Sequence, residues 1–422
     1  MKKMLIIAYV FPPIAYAGTH RTLRLCKHLS RLGYSIDVLT IDVQEDLHND
    51  FQLLNSIHND VNIVRTPIWD PYRLYRKFKA KLGNGLAGKI GSAIIGRAME
   101  LISKPDHMVF WVASAFKTAL RIIKEKQPTI VYTTSPPHSE QILGYLLKKV
   151  MPSIKWVADM RDPLLDNLII DQISTTNRLA HQLLERQIAR HADAVIFNTC
   201  DAMQRFEQRY HNRKSRLIRN SYDEESFEFS PLAHYDQFTI AHVGSIYAFR
   251  NVDPLFEAIS VLARVSKIDD SMFKLMFVGL NDKSLQEKII KFGIERFVEI
   301  KGMVSHRQAI EIMLRSHLLL LVKGLGENSG SQIPGKLYEY LASGNQIVHI
   351  GPLKSEAASI IESEKAGRTF SDNIEDIADY ILDGYQKFLS APQSCMSMRP
   401  NRNKFSSRNM AMLMHQLFQS LK

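Results

Sequence analysis

Gly330-Ser331-Gln332-Ile333-Pro334-Gly335-Lys336-Leu337-Tyr338-Glu339-Tyr340-Leu341-Ala342-Ser343-Gly344 decides how this chain is read. A loop of small residues leads to a proline and a glycine, then to a short amphipathic helix that ends at a glycine. Backbone N–H groups at a helix start have no intrahelical partner and suit a phosphate. Lys336 adds a full positive charge at that end. Glu339 lies one turn on, on the same side, where a carboxylate can accept from the two neighbouring hydroxyls of a ribose. Loop, lysine and glutamate together describe a pocket for a nucleoside diphosphate.

Outward from this stretch, apolar runs of strand length alternate with segments of helical period. Strands are expected at 238–242, 273–278, 297–300, 317–322 and 346–350, with helices at 252–267, 283–292, 305–315 and 356–364. The first half repeats the alternation. Its strands are expected at 4–10, 35–40, 61–66, 129–134, 155–159 and 193–198, and its helices at 19–32, 112–126, 139–150, 175–190 and 200–210. Residues 12–18 read as a loop. Alternation of this kind predicts parallel sheets covered on both faces. The acidic, aperiodic run Asp223-Glu224-Glu225-Ser226-Phe227-Glu228 breaks the pattern. The expected organisation is therefore an α/β N-terminal domain over 1–222, a linker over 223–236 and a second α/β domain over 237–400. A C-terminal segment, 401–422, carries a helix over 406–421 that packs back on the first domain. Ligands of such sheets bind outside the carboxyl ends of the strands.

The 422 residues are 45% hydrophobic and 23% charged, ordinary values for a folded chain large enough to need no disulfide. Cys26, Cys200 and Cys395 are scattered and form no CxxC, which argues for a reducing compartment and against a zinc site. The apolar run after Lys2 and Lys3 stops at Phe11-Pro12-Pro13 without a cleavage site, so it reads as a buried strand rather than a signal peptide. No run is long enough to predict a transmembrane helix. The formal net charge is +11, unevenly placed. Arg73, Arg76, Lys77, Lys79, Lys81, Lys89, Arg97 and Lys104 face a single acid, Glu100, within 72–104, interleaved with Leu74, Tyr75, Phe78, Leu82 and Ile90. Such a segment suits an anionic membrane surface; a solvated helix pair packed on its own domain is the alternative. No zinc finger, RNP-like string or helix-turn-helix context points to nucleic acid.

Several motifs fall in order. Tyr9-Val10-Phe11-Pro12-Pro13 precedes Gly18 and Arg21; Gly33-Tyr34-Ser35-Ile36-Asp37-Val38-Leu39-Thr40 follows; then come Asn220-Ser221-Tyr222-Asp223, Val243-Gly244-Ser245 through Arg250, and Pro334 to Ala342. In this series the chain resembles glycosyltransferase family 4 over nearly its whole length. The resemblance implies the GT-B architecture, two Rossmann-like α/β/α domains facing each other across a cleft. It also implies transfer of a sugar from a nucleotide-diphosphate donor to an acceptor hydroxyl, with retention at the anomeric carbon and without metal or cofactor. By the same resemblance Arg250 and Lys336 neutralise the diphosphate, Glu339 holds the ribose, and Met303 and Val304 after Gly302 cradle the base. Gly18 admits the phosphate. Gly244, Ser245, Ser331, Gln332, Ile333, Gly335 and Leu337 complete the donor site. Arg161, in Asp159-Met160-Arg161-Asp162-Pro163, stands where relatives place a sugar-contacting histidine, with Asp162 orienting it or binding acceptor. His138, in Ser135-Pro136-Pro137-His138-Ser139, is a candidate contact to donor or acceptor. His20, His242 and His306 are read as structural.

Two positions depart from the family pattern. Ser331 stands where many relatives carry the first of two glutamates, Glu327 being four residues too early, and Ser245 stands where many carry arginine. The function expected is that of a retaining, hexosyltransferase-type glycosyltransferase of bacterial surface polysaccharide, lipopolysaccharide or lipid-linked oligosaccharide synthesis. It would be cytoplasmic or peripheral on the inner face of the plasma membrane, with a lipid-linked or glycan acceptor. Two rivals share the architecture: a sugar-nucleotide epimerase, and a non-catalytic member that binds nucleotide sugar or membrane. A Rossmann dehydrogenase is disfavoured, because residues 11–18 contain no GxGxxG.

Overall fold

The computed structural model describes residues 2–69, 71, 95–166, 174–211, 214–228, 232–246, 251–323, 332–391 and 402–421. They form two compact units, Met1–Arg219 with Ser407–Lys422, and Asn220–Ser406. The chain thus leaves the first unit once and returns to it for the last helix.

The first unit holds a seven-stranded sheet in the order β3-β2-β1-β4-β5-β6-β7. Its strands are β1 (Lys2–Ile7), β2 (Tyr34–Ile41), β3 (Val61–Thr66), β4 (Ile130–Ser135), β5 (Lys155–Met160), β6 (Ala194–Phe197) and β7 (Ser215–Leu217), all pairing in parallel. Successive side chains of a strand point to opposite faces, and both faces are buried. Met4, Ile6 and Ala8 join one core, while Leu5, Ile7 and Tyr9 join the other. That is why the stretch from Met4 on reads as an unbroken apolar run. The first core is closed by the C-terminal helix Ser407–Ser420, which buries Met410, Ala411, Met414 and Phe418 beside the helix Ala17–Arg31. His28 Nε2 meets Ser407 Oγ at 2.8 Å, and Tyr34 OH meets His415 Nδ1 at 3.0 Å.

Two expectations shift in this unit. β1 ends at Ile7 rather than residue 10, because the Tyr9 N–H turns away to Glu140 Oε1 at 2.8 Å. The first helix starts at Ala17, so Gly18 sits in its first turn and not in a loop. The Thr19 hydroxyl fixes that start by donating to the Ile14 carbonyl at 2.7 Å. Of the basic segment, 72–94 lies outside the described residues, and 95–102 is helical.

The second unit holds a six-stranded parallel sheet in the order β10-β9-β8-β11-β12-β13. Its strands are β8 (Phe238–Val243), β9 (Phe273–Val278), β10 (Val298–Gly302), β11 (Leu318–Val322), β12 (Gln346–Ile350) and β13 (Gly367–Phe370). Leu318, Leu320 and Val322 enter one core, Leu319 and Leu321 the other. β7, β13 and the helix Ile374–Ser390 are additions to the sequence reading. So is the placement of 224–227. Glu224–Phe227 is a 3-10 turn capped by Asp223, and Tyr222 and Phe227 are buried in this unit's core rather than strung out as a linker. Burying a side chain such as Phe227 contributes about 1.5–3 kcal/mol, enough to fix the segment to the unit. Arg402 is likewise buried here, donating to the Leu341 and Glu364 carbonyls.

Candidate functional site

In an open parallel sheet, loops diverge to opposite faces where the strand order reverses, and ligands bind in the crevice this opens at the carboxyl ends. The reversal falls between β1 and β4 in the first unit and between β8 and β11 in the second. The candidate residues gather at these two places.

In the first unit, a Cβ on Gly18 would stand 2.3 Å from Nη1 of Arg161. The space above this glycine therefore holds a guanidinium, which also donates to the Pro136 carbonyl at the end of β4. His138 is buried beside it and its backbone N–H donates to Asp106 Oδ2 at 2.7 Å. Asp106 also accepts from the Ser139 N–H at 3.0 Å, so the start of the helix Ser139–Val150 is occupied by the protein's own carboxylate. Burial, the neighbouring His181 and Arg161 push the His138 imidazole down to about 3, so it is neutral at physiological pH and cannot serve as a phosphate-binding cation. Asp162 is raised above the usual carboxylate range by burial. Glu140 is the residue the sequence reading missed. It is fully buried, raised well above its usual range by burial, and bonded to the Tyr9 N–H. Among the described residues Glu140 Oε2, His138 Nδ1 and Arg161 Nε are buried without a hydrogen-bond partner. Three such atoms in one neighbourhood suit a polar, hydroxyl-bearing ligand or bound water.

Arg21 and Asp159 lie beneath this cluster and are structural. Asp159 accepts from Arg21 Nε at 2.9 Å and Nη2 at 3.0 Å, from Thr134 Oγ1 at 3.1 Å, and from the Tyr132 hydroxyl. The guanidinium also reaches the carbonyls of Ile218 and Arg219, both at 3.0 Å. The arginine of the N-terminal motif thus ties the helix Ala17–Arg31 to β5 and to the exit of the unit.

In the second unit, Lys336 opens the helix Lys336–Ser343 and its ammonium lies over Gly244. A Cβ there would stand 2.5 Å from Nζ, and the φ of +120° is one that side-chain-bearing residues rarely adopt. Gly279 at the end of β9 packs equally close, its Cβ direction 2.8 Å from the Gly244 carbonyl carbon and 3.0 Å from Ser245 N. Lys336 Nζ bonds His242 Nε2 at 3.0 Å. His242, read from sequence as structural, is fully buried and meets the Leu320 carbonyl through Nδ1 at 2.8 Å. Tyr340, one turn beyond Lys336, accepts from the Val243 N–H at 2.9 Å and donates to the same Leu320 carbonyl at 3.2 Å. Glu339 Oε1 lies 3.4 Å from Nε2 of His306, the first residue of the helix His306–Arg315. His306 therefore shares the site it was expected to stand outside.

The remaining candidates divide. Met303 is exposed just beyond Gly302, whose φ is +66°, while Val304 packs on the core. Ile333 and Leu337 are buried in the core, which leaves only their backbone to a ligand. The N–H groups of Leu337 and Tyr338 donate to the Pro334 and Gly335 carbonyls at 3.0 and 3.2 Å, so the first turn closes partly on itself. The Gln332 carbonyl accepts from the buried Lys323 ammonium. Arg250 and Ser331 lie outside the described residues.

The sequence matches no curated protein. Residues 17–221 match the family model described as a glycosyl transferase 4-like domain. Among solved structures the chain resembles sucrose-phosphate synthase from Thermosynechococcus elongatus, with a TM-score of 0.64 at 13% identity, covering 100% of this chain and 99% of that one. It resembles a mutant of Staphylococcus aureus TarM in complex with fondaparinux, α-GlcNAc-glycerol and UDP, with a TM-score of 0.62 at 12% identity over 99% of this chain and 100% of that one. A candidate UDP-N-acetylglucosamine 2-epimerase from Listeria monocytogenes matches at 0.58 and 11% identity, over 100% of this chain and 96% of that one. The resemblance read from the sequence is borne out: the chain carries a glycosyl transferase 4-like domain, a glycosyltransferase family 4 module, on a GT-B fold of two parallel-sheet α/β units.

Proposed function

We propose that this protein transfers a sugar from a nucleotide-diphosphate donor to an acceptor hydroxyl, with retention of anomeric configuration. The observation that carries the reading is the Lys336 ammonium held over Gly244 at the strand-order reversal of the second unit. As the bond between the anomeric carbon and the diphosphate oxygen breaks, negative charge grows on the leaving diphosphate. A preorganised cation and the backbone of the Gly244–Ser245 turn lower that barrier. Glu339 would take the ribose hydroxyls. In the first unit the neutral His138, Arg161, Asp162 and the buried acid Glu140 offer hydrogen bonds to sugar hydroxyls rather than charge to a phosphate.

The reaction needs no cofactor in this scheme. A lipid-linked or glycan acceptor of bacterial surface polysaccharide or lipopolysaccharide synthesis fits the basic segment 72–104, which would hold the enzyme on an anionic bilayer. No helix among the described residues is long and apolar enough to cross a membrane, so attachment would be peripheral. Lys336→Ala is expected to lower donor turnover about 10²–10³-fold, the loss typical of one removed charge-stabilising group, without unfolding the chain. Full activity in Lys336→Ala and Glu339→Ala together would refute the assignment.

Likeness to the Listeria protein favours one alternative, epimerisation of the nucleotide sugar. It requires no acceptor. Incubation with donor alone separates the readings: an epimerised product supports the alternative, and turnover that waits for acceptor supports transfer.

A further inference from the structure

The β8–β11 ladder is shorter than its neighbours. It pairs Leu318 with Ile240 and Leu319 with Ala241 and goes no further, whereas β8 stays paired with β9 to Val243–Val278 and β11 with β12 to Val322–Ile350. The two central strands therefore separate before they end, at the place where the order reverses. Side chains fill the opening. The Tyr340 hydroxyl takes the Val243 N–H, and both Tyr340 and His242 donate to the Leu320 carbonyl.

That carbonyl fixes the state of His242. A carbonyl oxygen only accepts, so Nδ1 carries the proton and, in the neutral ring, Nε2 presents a lone pair. An ammonium only donates, and Lys336 Nζ lies 3.0 Å from that lone pair. A carboxylate in the same place would hold the lysine equally well but would cancel its charge. An imidazole orients the ammonium without adding a negative charge of its own. Gly244, lacking a Cβ, leaves the room that the ammonium occupies.

We infer that His242 is a positioning residue of the nucleotide-diphosphate site: its neutral ring, clamped by the Leu320 carbonyl, aims Lys336 at the phosphates. The inference rests on the donor-site reading above and goes beyond it by assigning a role to a buried residue that touches no substrate.

Two substitutions separate the halves of the clamp. In His242→Asn the amide nitrogen can keep the bond to the Leu320 carbonyl, but the shorter side chain no longer reaches Lys336. In His242→Gln the amide oxygen can replace Nε2, and the bond to Leu320 is lost. Binding of UDP, GDP and ADP to the full chain is measured by calorimetry for wild type, both variants and Lys336→Ala, with thermal melting as the fold control. Loss of one orienting hydrogen bond to a charged group predicts weakening by roughly tenfold in His242→Asn with melting unchanged, and affinity within about threefold of wild type in His242→Gln. Added to Lys336→Ala, His242→Asn is expected to bring no further loss. Wild-type binding in His242→Asn with binding lost in Lys336→Ala would overturn the inference and leave the donor site standing. Wild-type binding in Lys336→Ala would overturn both. If His242→Asn melts early, the Gln variant decides: a folded Gln variant that binds about tenfold more weakly contradicts the inference.

Discussion

The two units solve one geometric problem with different chemistry. Each places a cation at the strand-order reversal, and each clears room for it with a glycine: Gly18 under the Arg161 guanidinium, Gly244 under the Lys336 ammonium. The surroundings then diverge. Arg161 sits among the buried His138 and Glu140 and the half-buried Asp162, two of them carboxyls raised by desolvation, and donates to a backbone carbonyl. Lys336 bonds the His242 imidazole at 3.0 Å. On the proposed reading the first arrangement would offer hydrogen bonds to a polyol, and the second would present a cation to an anion. A shared architecture therefore does not make the two ends equivalent, and the proposed division of labour between hydroxyl and phosphate would follow from these different surroundings.

The largest effect is expected from the support beneath the first cluster. Arg21→Ala leaves Asp159 buried and uncompensated, at a cost of about 3–5 kcal/mol. Hydrogen exchange should then show β1, β4 and β5 opening while β8, β11 and β12 stay protected. Uniform loss of protection in both sheets would break the picture of separately built units. The two glycines give a sharper comparison. Gly244→Ala meets both the lysine and an unfavourable φ and should weaken nucleoside diphosphate binding by at least about tenfold, strain of this kind amounting to roughly 1–3 kcal/mol. Gly18→Ala displaces Arg161 and should spare that binding while lowering turnover to acceptor. Reversal of the two phenotypes would contradict the assignment of roles.

The smallest expected effect is on pH dependence. Burial lowers His349 to about 3, beside Lys323, and His317 to about 4, beside His234, both in the second unit. Each folded state disfavours the proton that the unfolded chain takes up near 6.5, so stability is lost as pH falls from about 6.5 towards 3–4. In the first unit His138 acts in the same sense, but Glu140 and Glu185 oppose it. Their raised values, about 7 for Glu185, favour the protonated folded state, so their contribution is present below about pH 4.5 and is lost as pH rises through those raised values. Between pH 7 and 5 the second unit should lose exchange protection relative to the first. Equal loss in both would show that these buried groups do not set the balance.

Much of the fold is legible because apolar runs end at strong signals. The helix Lys283–Phe292 starts at Asp282, whose carboxylate accepts from Ser284 and Leu285, and stops at Gly293 with φ +65°. Its expected and observed bounds coincide, as do those of β3, β9 and β12. β7 gives no such signal, since three residues with one apolar side chain carry no period. The helix Ile374–Ser390 does carry one, in Ile377, Ala378, Ile381, Tyr385 and Phe388, and is still absent from the sequence reading. In the site, Lys336 and Gly244 stand out because a helix start and a glycine after a strand are local signals. His242 and Glu140 do not. A histidine inside an apolar strand reads as core, and its partner stands 94 positions away; Glu140 meets Tyr9 across 131. Only the sheet order brings such residues together.

The most direct test is a titration of wild type, Lys336→Ala and Arg161→Ala with UDP, GDP and ADP, each variant checked for an intact melt. The account predicts that binding weakens about a hundredfold in Lys336→Ala, as expected for a lost charge-assisted contact to phosphate, and stays within about threefold of wild type in Arg161→Ala. Undiminished binding in Lys336→Ala, with the loss falling on Arg161→Ala instead, would contradict it.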